Sequence, residues 1–386
     1  MVKKWFLKNN WLNKKNQLSN KRPIIGWICT YTPKEILLAA DLLPVRILPR
    51  IDPSLANTYM DSNFCPFARS CLGELMEGDY KELEHLLLIN SCDAIRRFYD
   101  ACRYYHHPKN SFICLLDLPR KDSTQALIYF QSNLELLVKR IEEFFQIKIS
   151  ENLLLQAISN SNKVRKLLTK LYYLYVSDKI DLSGEIFLQI IQQGMILPIK
   201  EYQTFLEKEL KDCSQPEKES FNNKKSKTKR NPKLLISGTW IDDLRLIKII
   251  EDYGGKIVFF DLCNGNRSFQ GQIEIPEGKV NNKESILKTL TEFYLHKLPC
   301  PRMVNLEKRW EYLNQLIQDY QIEGVVFYNL KFCDTSMYEL PILRERLKKK
   351  SIPSLFLEGE FSAQISGRNR TRIQAFLEVL EFGRQT

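Results

Sequence analysis

The sequence predicts an α/β protein with two Rossmann-like domains, each a doubly wound parallel sheet, and a helical subdomain between them. Short apolar runs alternate with amphipathic segments in the first and the last third of the chain. Between them, apolar residues recur at helical spacing over residues 124–210, with no strand-like run. A polar, lysine-rich stretch then separates this helical region from the second set of strands. These observations together indicate two sheets rather than one.

The predicted organisation divides the chain at changes of composition and pattern. The 386 residues exceed one typical domain, which favours two or three folding units. The lysine-rich stretch is poor in apolar residues and is typical of a solvated linker; a nucleic-acid-binding tail is the alternative. The segments are a basic N-terminal leader at 1–22, a first α/β domain at 23–123, the helical subdomain at 124–210, the charged linker at 211–232 and a second α/β domain at 233–386.

The first domain opens with a pattern typical of a β–α–β unit. Ile24–Ile28 predicts a buried strand, and Thr32 before Pro33 predicts the N-cap and start of a helix that continues over Glu35–Asp41. Leu43–Leu48 predicts the return strand. Such a unit is the usual start of a parallel sheet.

A further strand–helix junction lies at Cys92. The apolar run Leu86–Ile89 is too short for a helix and predicts a buried strand, whereas Ile95 and Phe98 recur at helical spacing. Cys92 therefore lies where the carboxyl end of a strand meets the amino terminus of a helix. Backbone N–H groups and the helix dipole favour a thiolate there, which suits a metal-ligating sulfur. A small buried core residue is the alternative.

Two more cysteines have the same placement. Cys65 precedes Pro66, and because proline favours the first helical turn, Cys65 takes an N-cap position. Cys333 closely follows the predicted strand Gly324–Tyr328. Functional groups gather beyond the carboxyl ends of parallel strands, so two facing sheets would bring Cys333 to Cys65 and Cys92. The spacing of the three matches no local metal motif.

The second domain repeats the alternation of strands and helices without repeating the sequence. A helix is expected to open at Gly238, directly after the first strand. Helices are also expected over Ser285–Leu295 and Tyr338–Lys349. The predicted strands are Leu234–Ser237, Ile257–Asp261, Gly324–Tyr328 and Ser354–Leu357.

Composition and charge restrict the class of protein. Hydrophobic residues make up 44% and charged residues 27%, which is ordinary for a globular chain. The net charge is +11, but no helix-turn-helix, zinc-finger or aromatic-platform pattern accompanies it, which argues against nucleic acid. No apolar run has the length to span a bilayer, and the basic leader lacks the apolar core of a secretory signal. We therefore expect a cytoplasmic protein without membrane contact.

The cysteines indicate metal chemistry rather than disulfides. A cytoplasmic chain with ten cysteines is not expected to use them as a disulfide framework. No Cys-x-x-Cys pair occurs, which argues against zinc ribbons and thioredoxin-like motifs. Only four histidines are present, so a bound metal is expected to be held by sulfur.

Eight short segments carry a recognisable pattern along most of the chain. They are CTYTPKE at 29–35, CPFARS at 65–70, CDAIRRFYD at 92–100, SGTWIDD at 237–243, DLCNGNR at 261–267, PCP at 299–301, KFCD at 331–334 and RTRIQAFLE at 370–378. With them the chain resembles the 2-hydroxyacyl-CoA dehydratase D-component family, which is related to subunits of ATP-dependent benzoyl-CoA reductase. The sequence departs from the family at Asp41, where glycine is common, and at Arg368-Asn369.

The resemblance implies a [4Fe–4S] cluster held by Cys65, Cys92 and Cys333, with the fourth iron open to water, hydroxide or substrate. It also implies a heterodimer of two related subunits and a separate ATP-hydrolysing iron–sulfur activator protein. In such enzymes one electron reduces the thioester carbonyl of the acyl-CoA substrate to a ketyl radical anion, which expels the neighbouring hydroxyl. An open iron can act as a Lewis acid toward that carbonyl oxygen.

Other assignments stay open. A benzoyl-CoA-reductase-like or double-cubane-type reductase subunit, or a non-catalytic partner subunit, would share the same resemblance. Thr30 and Glu35, at the first strand–helix junction, are catalytic candidates, with helix capping as the alternative. Double-cubane reductases carry extra ligands near three other cysteines of this chain, for which core packing is expected: Cys29, Cys263 and Cys300. Four arginines are candidates to pair with CoA phosphates, with a solvated surface position as the alternative: Arg96, Arg97, Arg120 and Arg267.

Overall fold

The computed structural model describes residues 22–106, 110–214, 231–241, 243–276, 282–297, 299–359 and 367–383. The expected leader, apart from its last residue, and most of the expected linker lie outside the described residues. Within the described part of the chain, no helix is long and apolar enough to cross a membrane.

Four parallel strands form the first sheet, in the order β2-β1-β3-β4. The strands are β1 Ile24–Trp27, β2 Leu43–Arg46, β3 His85–Asn90 and β4 Ile113–Asp117. The connecting helices are α1 Lys34–Ala39, α2 Pro66–Met76 and α3 Asp93–Tyr105, with a 3₁₀ turn at Pro53–Ala56. The central strand β3 is apolar and buried over Leu86–Ile89 because a parallel sheet is covered on both faces.

The second sheet repeats this order as β6-β5-β7-β8, again all parallel. Its strands are β5 Lys233–Gly238, β6 Lys256–Asp261, β7 Gly324–Leu330 and β8 Ser354–Gly359. Its helices are α8 Arg245–Asp252, α9 Lys283–Leu295, α10 Leu306–Tyr320, α11 Asp334–Lys349 and α12 Gly367–Phe382, with a 3₁₀ turn at Asn266–Ser268. The prediction of two α/β units with doubly wound parallel sheets is confirmed in architecture.

The stretch expected to be helical contains four helices between β4 and β5. They are α4 Thr124–Phe145, α5 Glu151–Val176, α6 Gly184–Gln193 and α7 Ile199–Ser214. Tyr172 and Tyr175 on α5 donate hydrogen bonds to the carbonyls of Val258 and Ile257 in β6, so α5 is tied directly to the second sheet. That these helices form a subdomain of their own stays a prediction.

The helix after β1 is shorter than the sequence predicts. Its N-cap is Pro33 rather than Thr32, whose hydroxyl donates instead to the Cys29 carbonyl at 2.7 Å. The helix stops short of Asp41, which adopts a left-handed backbone with φ of 55°. Glycine enters this region without a steric penalty, which gives a physical reason for the glycine that the family commonly has here.

The prediction that a helix opens at Gly238 is wrong. The helix in this connection begins only at Arg245, and residues 239–241 form a loop. The side chain of Asn264 accounts for this conformation, because its amide donates to the Ile241 carbonyl at 2.7 Å and accepts from the Ile241 N–H at 3.4 Å. These backbone groups are satisfied by a side chain instead of a helical turn.

Candidate functional site

Three helices begin at a cysteine. Cys65 is the N-cap of α2, Cys92 of α3 and Cys333 of α11, which confirms the helix-start placement predicted from the sequence. Cys92 and Cys333 hold matching places, since each follows the third strand of its sheet in chain order. The unpaired N–H groups at these helix starts favour negative charge on the sulfurs.

Residues that follow strands of both sheets line one cavity of about 110 Å³, which we call the cysteine cavity. The structure therefore brings Cys65, Cys92 and Cys333 together, as two facing sheets were expected to do. Three further cysteines lie on the same wall, so the cavity is lined by Cys29, Cys65, Cys92, Cys263, Cys300 and Cys333. Three of these belong to connections of the first sheet and three to connections of the second.

Two of the sulfurs interact directly. The Cys65 thiol donates a hydrogen bond to the Cys333 sulfur, and this bond, with contacts from Thr335 and Ser336, lowers the pKa of Cys333 against the opposing effect of burial. The same contact raises the pKa of Cys65 well above its usual range. Burial raises the pKa of Cys92 to about 11. Cys333 is thus the most readily ionised of the three.

Three nearly fully buried arginines make the wall of the cysteine cavity positive: Arg46, Arg267 and Arg302. Arg46 lies between two indoles, with its guanidinium carbon 5.0 Å from the centre of the Trp27 ring and 4.7 Å from that of Trp240. Its Nη1 also donates to the Cys263 carbonyl at 3.0 Å. These contacts hold the guanidinium beside the sulfurs.

The other two arginines are held in different ways. Arg267 donates from Nε to Asp261 at 2.6 Å and from Nη1 to the Gly238 carbonyl at 2.8 Å. Arg302 donates to the carbonyls of Leu118 and Pro119 at 2.9 and 2.8 Å. Because Arg302 has carbonyl partners instead of a carboxylate, its positive charge is not neutralised locally.

Several donors on this wall have no hydrogen-bond partner among the described residues: Arg46 Nε, Arg267 Nη2, Thr239 Oγ1 and Trp240 Nε1. Leaving a buried donor unpaired costs roughly 1–3 kcal/mol, so the wall suits an anionic acceptor inside the cavity. A thiolate-ligated [4Fe–4S] cluster is such an acceptor, because its sulfurs take hydrogen bonds. The residues present fit that group.

The cysteine cavity is not arranged for a single metal ion. Within the described ranges, no three Cys, His, Asp or Glu side chains lie close enough together to hold one. A cubane distributes its ligands over several irons, so it accepts sulfurs that are farther apart than those around one ion.

The two catalytic candidates lie outside the lining of the cysteine cavity. Glu35 is fully buried, and its carboxylate accepts from Arg165 at 2.7 Å and from the Tyr294 hydroxyl at 2.6 Å. The carbonyl of Thr30 accepts from the Lys297 ammonium at 2.9 Å. Opposing the effect of burial, Arg165 and Tyr294 help to lower the pKa of Glu35 to about 2. The catalytic role of both residues stays a prediction.

A second cavity, of about 420 Å³, adjoins the first. The two share four lining residues: Cys92, Pro301, Arg302 and Thr335. The remaining lining is Arg120 with the carboxylates of Asp93, Asp334 and Glu339, and the side chains of Met303, Val304, Leu306 and Tyr338, of which Tyr338 is largely exposed. This groove therefore connects the cysteine cavity to the surface.

Residues 29–380 match the family model of the 2-hydroxyglutaryl-CoA dehydratase D-component. The chain belongs to this family. The match includes every strand of the two sheets except β1, and all six cysteines of the cysteine cavity. Membership makes the protein a component of the 2-hydroxyacyl-CoA dehydratase type.

Relatives of this D-component are similar over nearly their full length. The chain is 26% identical to the protein YjiM of Escherichia coli (strain K12), over 93% of this chain and 91% of that one. It is 22% identical to the (R)-phenyllactyl-CoA dehydratase beta subunit of Clostridium sporogenes, over 92% and 91%. It is 24% identical to a benzoyl-CoA reductase subunit of Thauera aromatica, over 89% and 87%.

Sequence reasoning missed part of the site of this D-component. Arg46 and Arg302 line the cysteine cavity but belong to no local pattern that marks them, and Trp240 lies in the recognised segment at 237–243 without having been named as a site residue. Arg267 was considered only as a phosphate partner or a surface charge, yet it is 2% exposed. The segment 261–267 contains a signal that could have identified Arg267 as a buried residue. Asp261 precedes Arg267 by six residues, and an acid close in sequence can pair with a buried arginine and orient it.

Proposed function

We propose that the chain is the iron–sulfur subunit of an (R)-2-hydroxyacyl-CoA dehydratase. In this proposal Cys65, Cys92 and Cys333 hold a [4Fe–4S] cluster, and water is eliminated from a 2-hydroxyacyl-CoA after ATP-driven one-electron activation by a separate activator protein. The observation that carries it is the convergence of three helix-capping cysteines on one cavity with a positive wall.

The surrounding residues have defined tasks in this proposal. When bound, the cluster supplies one-electron chemistry at low potential. The helix starts and the arginines of the wall stabilise its negative charge, and the unpaired Thr239 hydroxyl and Trp240 indole N–H would donate hydrogen bonds to its sulfurs.

The adjoining groove is the proposed path of the acyl-CoA substrate. It reaches Cys92 from the surface, so an acyl thioester can enter while the larger nucleotide part stays outside. Arg120 lies on its wall and is the proposed partner of a CoA phosphate, since arginine pairs well with phosphate oxygens. Arg302 lies where groove and cysteine cavity meet.

The names of the relatives support a partner for this chain. One is named as the beta subunit of a dehydratase and another as a subunit of a reductase, so both belong to assemblies of more than one chain. This chain is therefore proposed to work as one half of a heterodimer with a homologous subunit. The cytoplasmic location, the activator protein and the five-segment domain division remain part of the same proposal.

The test is the iron and sulfide content of the chain purified without oxygen. We expect about four irons per chain, and loss of most iron in each of three variants: Cys65→Ser, Cys92→Ser and Cys333→Ser. Cys114→Ser is the matched control, because this buried cysteine lies on β4 away from the cavity. Unchanged iron in all three variants would refute the ligand assignment.

A second candidate is a double-cubane-type ATP-dependent reductase. It is favoured by one observation, the presence of six rather than three cysteines around the cysteine cavity. This candidate predicts about twice the iron per chain, because two joined cubanes are bound. It also predicts that changing Cys29, Cys263 or Cys300 to serine removes iron, whereas the dehydratase proposal expects these three variants to keep it.

A further inference from the structure

A separate cavity of about 70 Å³ borders β1 and β2, where Trp27 and Pro44 contribute to its lining. Its remaining wall is built by α1, α5, the segment from α6 to α7, and the 3₁₀ turn that follows β6. We call it the Lys34 cavity. None of the six cysteines of the first site lines it.

The polar groups of the Lys34 cavity are few and mostly donors. Lys34 and Arg165 supply cations, and Ser161 and Ser268 supply hydroxyls. The indole of Trp27 is 2% exposed, and its Nε1 is buried without a hydrogen-bond partner among the described residues. The remaining lining is largely aliphatic and aromatic.

The positive charges around the Lys34 cavity outnumber the negative ones. Arg165 is neutralised by Glu35, whose second oxygen is taken by Tyr294. Lys34 lies over the Trp27 ring at 5.2 Å, and no carboxylate of the described residues is within ion-pair distance of its ammonium. Burial, with the nearby charges of Arg165 and Arg46, lowers the pKa of Lys34 to about 8, although the neighbouring Glu35 acts in the opposite sense.

We propose that the Lys34 cavity is a binding site for a small monocarboxylate, with the carboxylate on Lys34 and a short apolar chain against the aliphatic wall. The unpaired Nε1 of Trp27 is the second donor to that carboxylate. The volume accommodates a molecule of roughly five or six non-hydrogen atoms, the size of propionate or butyrate.

The apolar lining selects a carboxylate over inorganic phosphate. Phosphate at neutral pH carries more than one negative charge and four oxygens that need partners, which one unpaired cation cannot satisfy. A carboxylate needs one cation and few donors, and its chain gains free energy from Val164, Leu168 and Leu197 on the wall.

The experiment is calorimetric titration of the iron-loaded chain, kept without oxygen, with sodium butyrate, butyramide and inorganic phosphate. We expect butyrate to bind at least about tenfold more tightly than its neutral amide, because the charged contact is lost in the amide. Equal binding of butyrate and butyramide, tighter binding of phosphate, or no binding of butyrate would overturn the proposal.

Substitutions of Lys34 test whether butyrate binds in the Lys34 cavity. Lys34→Met should weaken butyrate binding about tenfold or more, whereas Lys34→Arg should keep it within about threefold. Lys200→Met, at an exposed position on α7, is the matched control and should bind like the unchanged chain. Iron content and thermal unfolding of each variant separate a lost site from a lost fold. A Lys34→Met chain that is folded, iron-loaded and unaltered in affinity contradicts the assignment.

Discussion

The two halves of the molecule share a strand order but differ in how they treat the connections that meet at the cysteine cavity. After the third strand, both halves place a cysteine at a helix start, Cys92 in one and Cys333 in the other. After the first strand they diverge, because the first half carries Cys29 and the second half carries Thr239. The two sheets therefore have the same strand order but carry different side chains at the edge that lines the cysteine cavity.

The halves also differ in their buried acids. In the first half, Glu35 bonds one arginine and one tyrosine. In the second half, Asp261 bonds Arg267 and Arg309 together with the Ser237 hydroxyl. Only the second acid touches a residue that lines the cysteine cavity, so the comparison predicts different consequences when each is removed.

The largest loss of stability is expected from Asp261→Asn. The substitution leaves two buried guanidinium groups without their shared carboxylate, and breaking such a network costs about 3–5 kcal/mol. Denaturant unfolding measures the effect, with Asp252→Asn as the exposed control. A variant as stable as the unchanged chain would contradict this, since it would require Arg309 to be satisfied by Glu339 and Arg267 by the Gly238 carbonyl.

Glu35→Gln is expected to have a smaller effect, about 2–3 kcal/mol, because only one cation loses its partner and the amide can still bond Tyr294. Denaturant unfolding against the exposed Glu143→Gln variant checks it. The result also decides the role of Glu35. Full stability with lost activity would favour the catalytic role predicted from sequence, whereas lost stability favours a role in holding α1 on α5.

The pH dependence of the free energy of unfolding should reflect the ionisation of both buried carboxyls, Glu35 and Asp261. Arg165 and Tyr294 on one side, and Arg267 and Arg309 on the other, help to lower the pKa of each carboxyl to about 2 in the folded chain, although burial acts in the opposite sense. The folded state then holds fewer protons than the unfolded state between about pH 2 and pH 4.

The stabilisation from each carboxylate is therefore complete above about pH 5 and is lost as the pH falls toward 2. The slope is at most about 1.4 kcal/mol per pH unit and per group. Unfolding free energies measured from pH 2.5 to 6 should fall less steeply in Asp261→Asn and in Glu35→Gln than in the unchanged chain. Parallel curves would contradict the lowered pKa values.

The smallest effect concerns two equivalent turns. Each helix-to-strand turn before the second strand of a sheet contains a left-handed residue, Asp41 with φ of 55° and Gly254 with φ of 91°. We expect Asp41→Gly to stabilise the fold by about 0.5–1 kcal/mol, and Gly254→Asp to destabilise it by a similar amount.

Thermal unfolding of this pair isolates the backbone contribution. A Cβ at Gly254 would meet no described atom within 4 Å, so steric crowding does not confuse the result. The ion pair of Asp41 with Arg22 is exposed and contributes little. A less stable Asp41→Gly chain would show that the aspartate makes a local contact that outweighs its backbone cost.

Errors in the sequence-based fold share one physical cause. Pro33 rather than Thr32 is the N-cap residue of α1, where the Lys34 N–H donates to the Thr32 carbonyl, and the helix expected at Gly238 is a loop in which the Ile241 N–H donates to the Asn264 side chain. Sequence patterns typical of a helix start identify residues that are able to cap a helix. They do not reveal whether a distant amide such as Asn264 competes for the backbone.

The sequence by itself determined the strands, most helices and the position of three cysteines at helix starts, since periodicity and N-cap chemistry act over a few residues. Only the tertiary structure decided that six cysteines and three arginines share one cavity. It also decided that Glu35 bonds Arg165 and does not line the cysteine cavity. The reason is that convergence depends on how two sheets pack across more than two hundred residues of chain, and no local pattern encodes that distance.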